Sequence, residues 1–260
     1  MLIAHEAPLS IFDLVDSKTD YNYALVHLFE ENEDYLKKFE NLIKQGREVI
    51  LDNSIFELGS AFESDKFAYW VERLKPEWYV VPDSLENYEE TVSQFCDWCS
   101  NYNHLPGKKI GVVQGRTYNE IVDCYNQLIN HVDKLAISFD YSMFEEWYPN
   151  EKTKYHQWMK GRIKLINMLL ADNVIDTSIP HHLLGCGLPQ EFLYHKHHRW
   201  IHSLDTSNPI VHGMFNIKYD HTGLENKKSI KLCDMITHDL NQHQLECVKH
   251  NIDIFRGFCK

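Results

Sequence analysis

A chain of 260 residues with 43% hydrophobic side chains can bury a full core, and its length suits one α/β barrel or two small domains; a single domain over 1–260 is expected. No stretch approaches the roughly 18 uncharged apolar residues of a bilayer span. Met1-Leu2-Ile3-Ala4-His5-Glu6 has no basic region followed by an apolar one, so a cytoplasmic protein with no membrane partner is predicted. The formal charge of −12 argues against wrapping a polyanion, but it is uneven: residues 1–100 carry 8 basic and 21 acidic side chains, −13, and residues 101–260 carry 18 and 17, +1.

Strand-like apolar runs fall at 22–29, 48–52, 78–82, 109–114, 134–139, 182–186 and 200–205. Between them lie helical stripes, with apolar residues three and four apart: Tyr35, Leu36, Phe39, Leu42 and Ile43; Phe67, Trp70, Val71 and Leu74; Val92, Phe95 and Cys99; Ile121, Tyr125, Leu128 and Ile129; Ile163, Ile166, Met168, Leu169 and Leu170. Strand then helix, repeated about seven times, predicts a parallel sheet. A run at 211–217 is read as the eighth strand or an extension beyond it, and 239–258 as a closing helix. Together these predict an α/β fold, a (β/α)8 TIM-type barrel with a C-terminal helix. An open doubly wound sheet is the alternative, but no GxGxxG follows the first strand. The aromatic-rich segment 141–150 reads as an active-site loop or lid.

Seven scattered cysteines are expected to be reduced thiols. Cys96 and Cys99 have redox-like spacing but lie in a helical segment with no second pair. Lys152, Lys154, Lys160, Arg162 and Lys164 form a basic cluster suited to phosphate contacts or to a solvated helix face; Lys196 to Arg199 and Lys227-Lys228 are smaller ones.

Four polar groups end strand-like runs: Asp52, Asp83, Gln114 and Asp205. In a parallel β/α fold such groups converge on the rim where chemistry sits. Three aspartates suit a retaining glycosyl transfer, in which one carboxylate attacks the anomeric carbon and another shuttles a proton. They equally suit a divalent metal for phosphoryl or carbonyl chemistry. Each group also has a plainer reading, Asp52, Asp83 and Asp205 as helix caps and Gln114 as a turn residue before Thr117, and Phe56 beyond Asp52 as a core ring.

Five local sequences occur in order: Leu51-Asp52-Asn53-Ser54-Ile55-Phe56-Glu57, Pro82-Asp83, Gly111-Val112-Val113-Gln114-Gly115, His182-Leu183-Leu184-Gly185-Cys186-Gly187-Leu188-Pro189, and Leu204-Asp205-Thr206-Ser207-Asn208-Pro209. Over about residues 48–218 the chain resembles the tRNA-guanine transglycosylase superfamily of (β/α)8 enzymes, which exchange guanine for a 7-deazaguanine. The resemblance implies that Asp205 is the nucleophile on C1′ and that Asp52 does acid/base work on the exchanged base. Asp83 and Gln114 would read the base edge, and Phe56 and Leu184 would flank its faces. Gly115, Ser138 and Gly185 would line the base site. It calls for no cofactor.

The departures are specific. Ser54-Ile55 replaces a Gly-Gly pair, Glu57 stands where the family has Gln, and Ile137-Ser138-Phe139-Asp140 replaces a glycine-rich turn. The zinc loop is absent; Cys233, His238, His243, Cys247 and His250 are the C-terminal groups available, and no metal is expected. A trimmed member similar to phage enzymes that place 7-deazaguanines in DNA is implied, acting in the host cytoplasm if phage-encoded. Its partners would be DNA, alternatively tRNA, and a 7-deazaguanine base, and a homodimer is compatible. Action on a free nucleoside or nucleotide, and a catalytically inactive barrel that binds nucleic acid, remain alternatives.

Overall fold

The computed structural model describes residues 1–260. The strands are β1 (Leu2–His5), β2 (Asn22–Leu25), β3 (Val49–Asp52), β4 (Trp78–Val80), β5 (Lys108–Val113), β6 (Lys134–Ile137), β7 (His181–Leu183) and β8 (Ile201–Thr206). The helices are α1 (Phe12–Asp16), α2 (Leu28–Glu31), α3 (Glu33–Lys44), α4 (Ile55–Leu58), α5 (Ser64–Leu74), α6 (Tyr88–Tyr102), α7 (Tyr118–Leu128), α8 (Met143–Trp147), α9 (Lys154–Ala171), α10 (Phe192–His195), α11 (Asn208–Met214) and α12 (Gln242–Phe258). The sheet order is β1-β8-β7-β6-β5-β4-β3-β2, with parallel registers such as Leu2↔Ser203 and Ile110↔Lys134. Alternating strands and helices in that order are the (β/α)8 class, with α12 as the C-terminal helix. No helix is long and apolar enough to cross a membrane.

Packing divides the chain into two compact units: Tyr21–Ile137 with Asp176–His181, and Met1–Asp20 with Ser138–Ile175 and His182–Lys260. In the Tyr21–Ile137 unit every residue of β2, β3, β4 and β6 is buried, as parallel strands covered on both faces require. Its helices start where short polar side chains take up free N–H groups. Asn32 accepts from Asp34 and Tyr35, Asn87 from Glu90, and Thr117 from Glu120. Helix α3 then buries Tyr35, Leu36, Phe39 and Leu42, leaving the predicted Ile43 half-buried, and α5 buries the predicted Phe67, Trp70, Val71 and Leu74. On α6 the buried face is Thr91, Phe95 and Trp98 rather than one through Val92 and Cys99, because Trp98 packs on Phe67 and Tyr79.

In the Met1–Asp20 unit the core is Ala7, Ile11, Val15, Ile210, Val211, Met214, Leu232, Val248 and Ile252. Helix α12 opens with a reciprocal capping box between Asn241 and Gln244. Three expectations are corrected. The eighth strand is β1, and 211–217 is no strand: Pro209 opens α11, all of whose residues are buried, so no exposed face marks it as a helix. The run 22–29 is strand only to Leu25. Segment 141–150 is no free lid, since it folds into α8 with Tyr141 and Phe144 buried edge to face, their centroids 5.4 Å apart.

Candidate active site

In the Tyr21–Ile137 unit Asp52 ends β3, Asp83 lies in the loop after β4 and Gln114 directly follows β5, the last two hydrogen-bonded to each other. Asp52 Oδ1 accepts from the Tyr23 hydroxyl at 2.7 Å and its Oδ2 from the Ser54 N–H at 2.7 Å. That second bond closes a local turn and holds Ser54 at φ 60°, in the left-handed region. The backbone therefore keeps the conformation a glycine would adopt at no cost, although a serine stands there. Beyond it α4 carries Phe56, 44% exposed, which removes the reading of Phe56 as a core ring.

The next residue, Asn53, is fully buried, and its Nδ2 donates to the Val81 carbonyl at 3.1 Å and to Asp83 Oδ1 at 2.7 Å. Gln114 Nε2 donates to Asp83 Oδ2 at 2.7 Å, and the Glu86 N–H fixes the amide's orientation by donating to Gln114 Oε1 at 2.9 Å. Asp83 is thus clamped between two amides, and α6 is capped by Asn87, so the helix-cap reading of Asp83 fails. Thr117 caps α7, so Gln114 does stand in the connection before that helix start, with its amide turned onto Asp83. Burial pushes the Asp83 carboxyl up to about 6, with the Gln114 and then the Asn53 hydrogen bonds opposing. An amide nitrogen has two N–H groups and each carboxylate oxygen two lone pairs, so this pair still offers a donor beside an acceptor. Gly115 follows, where a side chain would meet Glu120 Cβ at 2.8 Å; its smallness admits the first turn of α7.

In the other unit, Asp205 lies near the end of β8, its side chain 8% exposed. His182 Nε2 lies 2.9 Å from Asp205 Oδ1, and the Gly185 N–H donates to the same oxygen at 3.2 Å. Oδ2 takes part in neither contact. His182, fully buried on β7, has its Nδ1 2.9 Å from Ser203 Oγ, two residues before Asp205 on β8. Gly185 has φ +61°, and a side chain there would strike the Phe139 ring at 2.5 Å.

The Leu184-Gly185 turn is held from behind by Arg162. Its Nη1 donates to the Leu184 carbonyl at 2.8 Å and its Nη2 to the Gly185 carbonyl at 3.1 Å, while Nε reaches Glu191 Oε1 at 2.6 Å. His195 Nε2 lies 3.1 Å from the same carboxylate oxygen. Burial alone would raise the Glu191 carboxyl, but the Arg162 charge and then His195 hold it below the usual carboxylate range. Half-buried Lys227 donates to the Cys186 carbonyl at 2.7 Å, with its ammonium 4.6 Å from the Phe139 ring centroid. Ser138 turns its hydroxyl onto Asp140 Oδ1 at 2.7 Å, and its N–H meets the Tyr141 hydroxyl at 3.2 Å.

The structure therefore gathers Asp52, Asp83, Gln114, Gly115 and Phe56 in one unit, and Asp205, Leu184, Gly185 and Ser138 in the other. Sequence reasoning passed over Tyr23, Asn53, His182, Ser203 and the Arg162–Glu191 pair. Two of these carried a signal: Asn53 adjoins Asp52, and Ser203 shares a strand face with Asp205 at a spacing of two. Of the basic cluster only Arg162 is corrected, since Lys152 and Lys160 keep exposed side chains. Arg162 is buried in an ion pair, Lys152 binds Glu225 at 2.9 Å, and Lys160 binds Glu151 at 2.5 Å. Lys154 lies over Trp158 and Lys164 over Trp147, at 4.9 and 4.4 Å. At the C-terminus His250 Nε2 donates to the Tyr219 carbonyl at 2.8 Å, which commits one of the candidate metal ligands to the backbone.

A scan against protein-family models gives no match to this chain, and a search of curated proteins gives none either.

Proposed function

We propose that the chain is a base-exchange glycosyltransferase, replacing guanine in a polynucleotide, DNA ahead of tRNA, by a 7-deazaguanine. The observation that carries this reading is the presentation of Asp205. One carboxylate oxygen accepts from His182 and Gly185, and the other is left to act as a nucleophile. In the proposed reaction Asp205 Oδ2 bonds to C1′ of the target nucleotide as the bond from C1′ to the guanine nitrogen breaks. The base departs with that electron pair and takes a proton from the Asp52 carboxyl. The incoming base returns a proton to Asp52 and attacks C1′, and Asp205 leaves as a carboxylate, so configuration is retained. The remaining N–H of Gln114 beside the Asp83 carboxylate suits a carbonyl next to a ring N–H, as guanine presents. A duplex target has to be extruded first, so single-stranded DNA is the better substrate.

Support comes from the resemblance over residues 48–218 and from the hydrogen-bonded strand-end carboxylates. The test is mass spectrometry of nucleosides released from DNA and from tRNA after incubation with a panel of 7-deazaguanines. A new modified nucleoside from either supports the reading, and unchanged nucleosides from both refute it. Action on a free nucleotide is the second reading, favoured by the formal charge of −12. Polynucleotide turnover falls steeply between 50 and 200 mM salt, on the order of 1000-fold for six phosphate contacts, whereas mononucleotide turnover does not.

A further inference from the structure

We propose that His182, locked by Ser203 as the tautomer with its proton on Nε2, is the positioning residue that selects which oxygen of Asp205 attacks. The inference rests on the glycosyltransferase reading and deepens it, adding to the His182 contact the ring's tautomer, the Ser203 hydroxyl that sets it and a part in the second half-reaction. A carboxylate only accepts, so at 2.9 Å from Asp205 Oδ1 the His182 Nε2 must carry the proton. In the proposed tautomer Nδ1 keeps its lone pair, and the Ser203 hydroxyl, 2.9 Å away, is placed to donate to it. The chain of donation runs from Ser203 to His182 to Asp205, and the ring is fully buried. With the Gly185 N–H on the same atom, Oδ1 accepts two hydrogen bonds and loses nucleophilicity, while Oδ2 keeps its electron pair for carbon.

The arrangement also acts on the second half of the reaction. A hydrogen bond to a carboxylate is roughly twice as strong as one to a neutral acceptor such as an ester carbonyl. Donation from His182 therefore favours the state in which Asp205 has left the sugar. No atom is exchanged and no proton is transferred by His182; it orients one oxygen and stabilises the departing carboxylate.

The experiment uses the full chain, a guanine-containing single-stranded oligonucleotide, and isotope-labelled guanine as incoming base. Exchange of guanine for guanine reports both half-reactions without knowledge of the natural 7-deazaguanine. In His182→Leu, kcat falls roughly 100-fold, as on removal of one preorganised donor, with KM nearly unchanged. The fraction of protein found as the sugar adduct after acid quench rises, because breakdown of the ester is slowed more than its formation. His182→Gln, whose amide nitrogen reaches the same place, stays within about tenfold of wild type. Histidine 15N spectra of the wild type place the His182 proton on Nε2, and Ser203→Ala mixes the tautomers.

Equal losses in His182→Leu and His182→Gln, with melting unchanged, overturn the proposal. So does a wild-type ring protonated on Nδ1 alone, or a Leu variant that exchanges at the wild-type rate. A wild-type chain that forms no adduct removes the glycosyltransferase reading itself and the histidine's role with it, whereas a normal wild-type adduct with insensitive variants removes the histidine's role alone.

Discussion

Replacing Arg162 by Met should unbalance the most deeply buried charge system in the chain. Arg162 and Glu191 both have fully buried side chains, and the guanidinium satisfies the carboxylate and two backbone carbonyls together. Removal leaves Glu191 buried with His195 as its remaining side-chain partner. Breaking a buried pair from one side costs about 3 to 5 kcal/mol, and for a chain of this size each kcal/mol moves Tm by about 2 to 4 °C. A fall in Tm on the order of 10 °C is expected. Removing both members, Arg162→Met with Glu191→Leu, should recover at least about 2 kcal/mol, because no charge is left stranded.

The pH dependence gives the sign. In the wild type the depressed Glu191 carboxyl contributes stability above its unfolded pKa of about 4.3, lost as pH falls through the lower folded value. In the single variant burial is unopposed by Arg162 and the folded pKa rises, so ionised Glu191 costs stability above about pH 4.3. The deficit of the variant should therefore be larger at pH 8 than at pH 5 in urea titrations. An equal deficit at both pH values, or a double variant no more stable than the single one, would refute this reasoning.

Asp83, raised to about 6, binds a proton more readily in the folded than in the unfolded chain, so its ionisation removes stability as pH rises from about 4 to about 6. Asp83→Asn should flatten that window in thermal melts. It should also abolish the fall in base affinity expected below pH 6, where the carboxylate is no longer a pure acceptor; the profile of kcat/KM against pH reads this. Ser54→Gly relieves left-handed strain and should alter stability by no more than about 1 kcal/mol, whereas Ser54→Val should cost about 2 kcal/mol or more. Gly185→Ala has to displace the Phe139 ring and strain the turn. Loss of the N–H on Asp205 should then lower kcat roughly 100-fold, read by the same guanine exchange, even where melting shows a folded chain.

What was legible in the sequence follows from how each element buries itself. The runs ending at Asp52, Pro82 and Gln114 match β3, β4 and β5 closely because parallel strands covered on both faces read as unbroken apolar segments. Strand β1 is only four residues long and lies at the start of the chain, where Leu2-Ile3-Ala4-His5 has no preceding turn signal. Helix α11 is buried on every side, and its Ile210-Val211 pair imitates a strand. Asp52, Asp83, Gln114 and Asp205 stood out because a charge or amide ending an apolar run is conspicuous. Their supports did not. Arg162 stands between Lys160 and Lys164 and reads with them as one basic cluster, and only Glu191 and the Leu184-Gly185 carbonyls, far along the chain, explain its burial. His182 and Ser203 are ordinary strand residues until β7 and β8 bring them within hydrogen-bonding distance of each other.

The most direct measurement is intact-protein mass spectrometry after acid quench of the wild type and Asp205→Asn, each mixed with a guanine-containing oligonucleotide. The account predicts a wild-type species heavier by the oligonucleotide less one guanine, its sugar mapped by peptide digestion to Asp205 and absent from the variant. A wild type without adduct, or an adduct that persists in Asp205→Asn, would contradict it.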